Sequence, residues 1–91
     1  MGNEQFIKIV KHLVYEYTNL SHGAQVIDED SVYIVWVCKT LQNHKALAST
    51  PVSDGMYYEI TYNGDKDELY FDAYKKQENK CIRNPMKLIE Q

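Results

Sequence analysis

Apolar residues recur at helical steps near the start of the chain and at strand steps, or in unbroken runs, through its middle. Phe6, Ile9, Val10, Leu13, Val14, Tyr17 and Leu20 follow one another at spacings that place them on a single stripe. That pattern predicts an amphipathic helix over residues 4–20. Lys8, Lys11, Glu16 and Asn19 lie off the stripe, Asn3 is a suitable N-cap, and Gly23 is the expected stop. Residues 24–30, AQVIDED, read as a connection ending in an acidic cluster, where Asp30 or Ser31 manages a turn.

SVYIVWVC (31–38) is apolar on both parities, which predicts a central strand. Strict alternation puts Val32, Ile34, Trp36 and Cys38 on one face and Tyr33, Val35 and Val37 on the other. KTLQNH (39–44) is a turn. KALAST (45–50) admits either a weak strand or a helical turn. PVSDG (51–55) breaks the chain, and MYYEITY (56–62) resumes as a strand. Met56, Tyr58, Ile60 and Tyr62 face one way, and Tyr57, Glu59 and Thr61 the other. Asn63-Gly64 is the strongest hairpin signal. ELYFDAY (68–74) returns antiparallel, with Leu69, Phe71 and Ala73 opposed to Glu68, Tyr70, Asp72 and Tyr74. KKQENKCI (75–82) fits a short helix or an irregular extension, and Asn84-Pro85 ends it.

These elements predict an α+β fold. The N-terminal helix packs on a three- to four-stranded antiparallel meander, with room for a short C-terminal helix. Ninety-one residues make one domain, 1–91, with 83–91 expected to be a flexible or partner-docked tail. A chain of this length buries about 60–65% of its unfolded surface. The core on the helix side is expected to hold Ile34, Trp36, Ile60 and Phe71.

Charge changes the picture modestly. The net formal charge is −3, too mild for a nucleic-acid mimic and of the wrong sign for a general nucleic-acid binder. It is uneven: residues 1–72 sum to −6 and residues 73–91 to +3. No apolar run reaches the roughly 18 residues of a membrane span. Cys38 and Cys81 lie in no redox or metal motif, so reduced thiols and a cytoplasmic location are expected. Cys38 is expected to be a small buried hydrophobe and Cys81 to be exposed.

The candidate chemistry is sparse. His12, His22 and His44 have no partner at metal-ligand spacing. Asp65, Asp67 and Glu68 lack the ordered oxygen spacing of a calcium loop. No phosphate loop, nucleophile motif or recognisable carboxylate pair is present, so neither an enzyme, a cofactor nor a metal is expected. The face bearing Tyr33, Val35, Val37, Tyr57, Glu59, Tyr70, Asp72 and Tyr74 is a candidate protein interface. Tyrosine is at home on half-exposed contact surfaces, although aromatics also simply favour strands. Glu59 and Asp72 on that face argue against stacking of nucleic-acid bases. Lys39, Thr40, Gln42 and Asn43 form a candidate recognition loop, or a plain hairpin loop. Lys75, Lys76, Lys80 and Arg83 form a candidate basic patch, in which a helix would place Lys76, Lys80 and Arg83 near one face. A protein partner, including a second copy in a homodimer, is the leading expectation. A nucleic-acid accessory role through the basic segment is the alternative.

The stretches VYIVWVCKTLQNHKALAST (32–50) and DGMYYEITYNGDKDELYFDAYKKQENKCI (54–82) carry a resemblance. They are similar to a family of small proteins encoded in the early regions of phages and prophages of low-GC Gram-positive bacteria. The resemblance covers roughly residues 4–82, and no activity or catalytic residue comes with it. It implies a non-enzymatic protein that binds a host or phage protein and alters replication, transcription or defence.

Overall fold

The computed structural model describes residues 1–90. The last residue of the expected 83–91 tail, Gln91, lies outside the described residues.

Helix α1 spans Asn3–His22. Gly2, not Asn3, is its N-cap, and the Gln5 side chain reaches back to accept a hydrogen bond from the Gly2 N–H at 2.9 Å. Its stop is Gly23, at φ +67°. There the Gly23 N–H bonds Leu20 O and the Ala24 N–H bonds Asn19 O, closing a Schellman motif. The buried stripe is narrower than the apolar pattern suggested. Phe6, Val10, Val14 and Thr18 are buried, whereas Leu20 is 81% exposed. A strict four-residue step fits a helix lying flat on a sheet.

Strands β1 (Tyr33–Thr40), β2 (Asn43–Ser49), β3 (Met56–Asn63) and β4 (Glu68–Lys75) form one antiparallel meander in the order β1-β2-β3-β4. The expected fold class is therefore the observed one. Strand positions differ from expectation in two places. The apolar run is the edge strand β1, not a central one. The alanine-rich segment is a full strand, β2, and lies beneath α1. Ala46 and Ala48 are fully buried because small residues let Phe6, Val10 and Val14 approach the sheet. Tyr58 and Ile60 of β3 complete this core, with Phe71 packed at its margin. Tyr17 leans over that margin, its ring 5.6 Å from Tyr58 and 5.3 Å from Phe71.

A bulge in β1 sets which side chains face the core. Ile34 pairs with Ala48, but Trp36 pairs with Leu47, so Val35 is an inserted residue. Beyond it the parity reverses. Val37 aligns with buried Ala46 and joins the core margin, while Trp36 and Cys38 turn to the outer face. This corrects the strict alternation. Trp36 is 42% exposed rather than core, and Cys38 is exposed rather than a buried hydrophobe.

Side-chain hydrogen bonds tie the connections to α1. Asn19 Oδ1 accepts from the Val26 and Ile27 N–H groups, and its Nδ2 donates to Ile27 O. That clamp leads into a short 3₁₀ turn, Glu29–Ser31. Each histidine fastens α1 to another segment. His12 Nδ1 bonds Glu29 Oε1 at 2.7 Å, and His22 Nε2 bonds Asp54 Oδ2 at 3.1 Å. His44, on β2, is buried against Phe6, donating from Nε2 to Met1 O at 3.2 Å with Nδ1 3.1 Å from Asn3 Oδ1.

The basic segment is not a helix over 75–82. Lys75 ends β4, residues 76–84 are irregular, and a 3₁₀ turn follows at Pro85–Leu88. Every residue from Ala73 to Glu90 is exposed. The radius of gyration is 16.0 Å, against about 12 Å for a compact chain of this length, which places the tail clear of the body.

Candidate functional site

Helix α1 covers one face of the sheet and leaves the other bare. Strand register assembles that outer face in rows. Trp36, Leu47, Glu59 and Asp72 align across all four strands, and Cys38, Lys45, Thr61 and Tyr70 align beside them. Tyr57 and Tyr74 sit opposite each other at one end. Trp36, Tyr70 and Tyr74 are exposed, and Leu47 and Tyr57 half-buried. A shallow concavity of about 380 Å³ lies over Trp36, Cys38, Lys45 and Thr61 at the β1 end.

The electrostatics of this face are unbalanced. Glu59 and Asp72 are direct cross-strand neighbours. Like charges placed so are destabilising. Lys45 Nζ reaches Glu59 Oε1 at 3.4 Å and offsets one of them. Tyr70 OH donates to Glu68, and that bond raises the Tyr70 pKa above the ordinary phenol value. At the far end Lys76 Nζ lies 5.7 Å from the centre of the Tyr57 ring, a cation–π contact.

Of the expected interface, Tyr57, Glu59, Tyr70, Asp72 and Tyr74 share this face, and Tyr33 belongs to it by its place before the bulge. Val37 does not, because it turns inward, and Val35 is the exposed bulge residue. Trp36, Leu47, Cys38 and Lys45 belong to the face and were missed. For Trp36 and Cys38 the signal was hidden because an unbroken apolar run carries no mark of an insertion, and for Lys45 and Leu47 because their alanine-rich segment has low strand propensity.

The residues of the expected recognition loop, Lys39, Thr40, Gln42 and Asn43, are all exposed. Lys39 aligns with buried His44 and Thr40 with Asn43. Asn43 Oδ1 accepts the Gly64 N–H at 3.1 Å, fastening this turn to the β3–β4 loop. Gln42 packs so closely on Gly64 that a Cβ there would lie 2.2 Å from Gln42 O. Gly64 therefore serves close approach rather than a two-residue hairpin. The loop itself is closed by Asn63 Oδ1, which accepts from the Asp65 and Lys66 N–H groups. Leu41, at the tip, holds φ +57° and is 83% exposed. The basic-patch residues Lys75, Lys76, Lys80 and Arg83 share no helical face.

Among the described residues, no three His, Cys, Asp or Glu side chains are grouped to hold a metal ion. No helix among them is long and apolar enough to cross a membrane. Residues 4–84 match a family of unknown function, DUF6275. The chain belongs to that family. No curated protein and no solved structure matches it. The DUF6275 match spans α1, the whole sheet and the tail as far as Asn84, so both the outer face and the first part of the tail lie within the family's extent.

Proposed function

We propose that this chain is a non-catalytic protein-binding module whose outer sheet face receives a partner segment that is apolar and positively charged. The observation that carries this reading is the row Trp36, Leu47, Glu59 and Asp72, an apolar and acidic strip over which no helix among the described residues packs. Apolar anchors ringed by unbalanced charge fit a contact surface, because the anchors supply affinity and the charges select the partner. The resemblance to phage early-region proteins supports a setting in the bacterial cytoplasm. There the partner is a host or phage protein, or a second copy of this chain, and binding modulates replication, transcription or defence.

The test is capture from a Gram-positive lysate with the wild type, Trp36→Glu, Leu47→Glu and a helix-side control, Lys8→Glu. The reading expects a protein retained by the wild type and the control but lost with both outer-face variants. Equal retention by all four chains would sink it. Salt-sensitive retention of a DNA duplex that falls when Lys80 and Arg83 are neutralised, with no protein captured, would instead favour the nucleic-acid role.

A further inference from the structure

Two surfaces of this chain lack a partner, and they complement each other. The outer face is apolar at Trp36 and Leu47, aromatic at Tyr57 and Tyr74, and acidic between them at Glu59 and Asp72. The C-terminal segment exposes Ile82, Met86, Leu88 and Ile89. The same segment carries Lys80, Arg83 and Lys87. Residues 73–91 sum to +3 and residues 1–72 to −6.

We infer that the C-terminal segment of one copy lies across the outer sheet face of a second copy, reciprocally, in a twofold dimer. The inference rests on the outer-face reading above and names the occupant of that face. Three observations select this occupant. The Glu59–Asp72 pair has one offsetting cation, Lys45, and is relieved by a segment that brings more. The tail's apolar side chains stay in water in a single copy, and a second copy's sheet supplies the surface that buries them. The third is reach. The tail leaves the edge strand β4 at Lys75, and Lys76 N–H still bonds Gly55 O at the end of the sheet. The chain bends at Asn84, φ +51°, followed by Pro85. Eight residues from 77 to 84 carry the chain up to about 26 Å past the sheet when extended. Every residue from 77 to 90 stays exposed on this course, so the segment does not lie over its own copy's face. The 47 Å long axis, compared with about 26 Å for an eight-residue strand, agrees with an outward course. Reciprocal exchange lets both copies satisfy both surfaces.

The chain carries its own cross-linking probe, with Cys38 on the outer face and Cys81 on the tail, both free and exposed. Reduced protein, mixed from light and ¹⁵N-labelled preparations, is treated with a short bis-maleimide and digested. The inference expects Cys38–Cys81 adducts that pair light with heavy peptides in statistical proportion. A second arm inverts charge. Glu59→Lys/Asp72→Lys makes the face basic, and Lys80→Glu/Arg83→Glu/Lys87→Glu makes the tail acidic. Each chain alone should dimerise about tenfold more weakly than the wild type or worse, and an equimolar mixture should regain the affinity. A wild type of twice the 10.7 kDa chain mass by sedimentation is expected. Adducts confined to single copies, a monomeric wild type, or inverted chains that dimerise alone as well as the wild type would each overturn the inference. If the wild type is monomeric while lysate capture still depends on Trp36 and Leu47, only the self-pairing is lost. If that dependence is lost as well, the outer-face reading falls with it.

Discussion

Replacing Asp72 with lysine should make the isolated domain more stable and the associated form weaker. Asp72 faces Glu59 directly across β3 and β4, and Lys45 offsets Glu59 at 3.4 Å. A like-charge cross-strand pair and an opposite-charge one each shift stability by roughly 0.2–1 kcal/mol, in opposite directions. The swing on Asp72→Lys is then about 1 kcal/mol. For a domain of this size that corresponds to a rise of about 4–8 °C in Tm. The assay is thermal melting followed by circular dichroism, at protein concentrations low enough to suppress association. Run at low salt and again at about 1 M salt, where the screening length falls to about 3 Å, the gain should shrink. Sedimentation of the same variant should show weaker association. A Tm that falls would show the acidic pair to be no burden on the fold, and association as tight as the wild type would show it to be no contact for a partner; either result would refute the reasoning.

The other expectations concern the scaffold and its ties. Gly64→Ala places a methyl group 2.2 Å from the Gln42 carbonyl oxygen, so the β1–β2 and β3–β4 turns must separate. Chemical denaturation should show a loss of about 1–3 kcal/mol. Ala46→Leu forces a larger side chain between β2 and α1, where Ala46 is fully buried, and should cost a similar amount by the same measurement. His12 lies between Glu16 and Glu29, and its bond to Glu29 leads the causes that raise its pKa above the ordinary imidazole value. A raised folded pKa adds stability that is fully present below the unfolded value of about 6.5 and is lost as pH rises through the folded one. Wild type and His12→Gln should therefore differ more in Tm at about pH 5.5 than at about pH 8. An NMR titration of His12 with a midpoint at or below the ordinary imidazole value would contradict this.

Sequence patterns located the helix, its glycine stop and the β3–β4 pair, because each has a periodicity that only one local structure satisfies. Tyr58 and Ile60 read inward, and Tyr57 and Glu59 outward, and the structure agrees. Three features were not legible. The bulge at Val35 is invisible in an all-apolar run, where either parity satisfies the pattern, and so Trp36, Val37 and Cys38 were assigned to the wrong faces. β2 looked weak because its alanines have low strand propensity, yet they are small because α1 rests on them. Gly64 looked like a hairpin glycine, and its true constraint, the approach of Gln42, comes from a turn distant in sequence. The aromatic and acidic residues of the outer face were legible on β3 and β4, whose alternation is strict. Its apolar half on β1 and β2 was not.

Trp36 is the only tryptophan in the chain and sits on the outer face, 42% exposed, so its fluorescence reports directly on whether that face is a binding surface. Emission and iodide quenching, followed as the wild type is concentrated or mixed with a captured partner, should shift to shorter wavelength and lose quenching in step with association measured by light scattering. Association that leaves Trp36 emission and quenching unchanged would contradict the account.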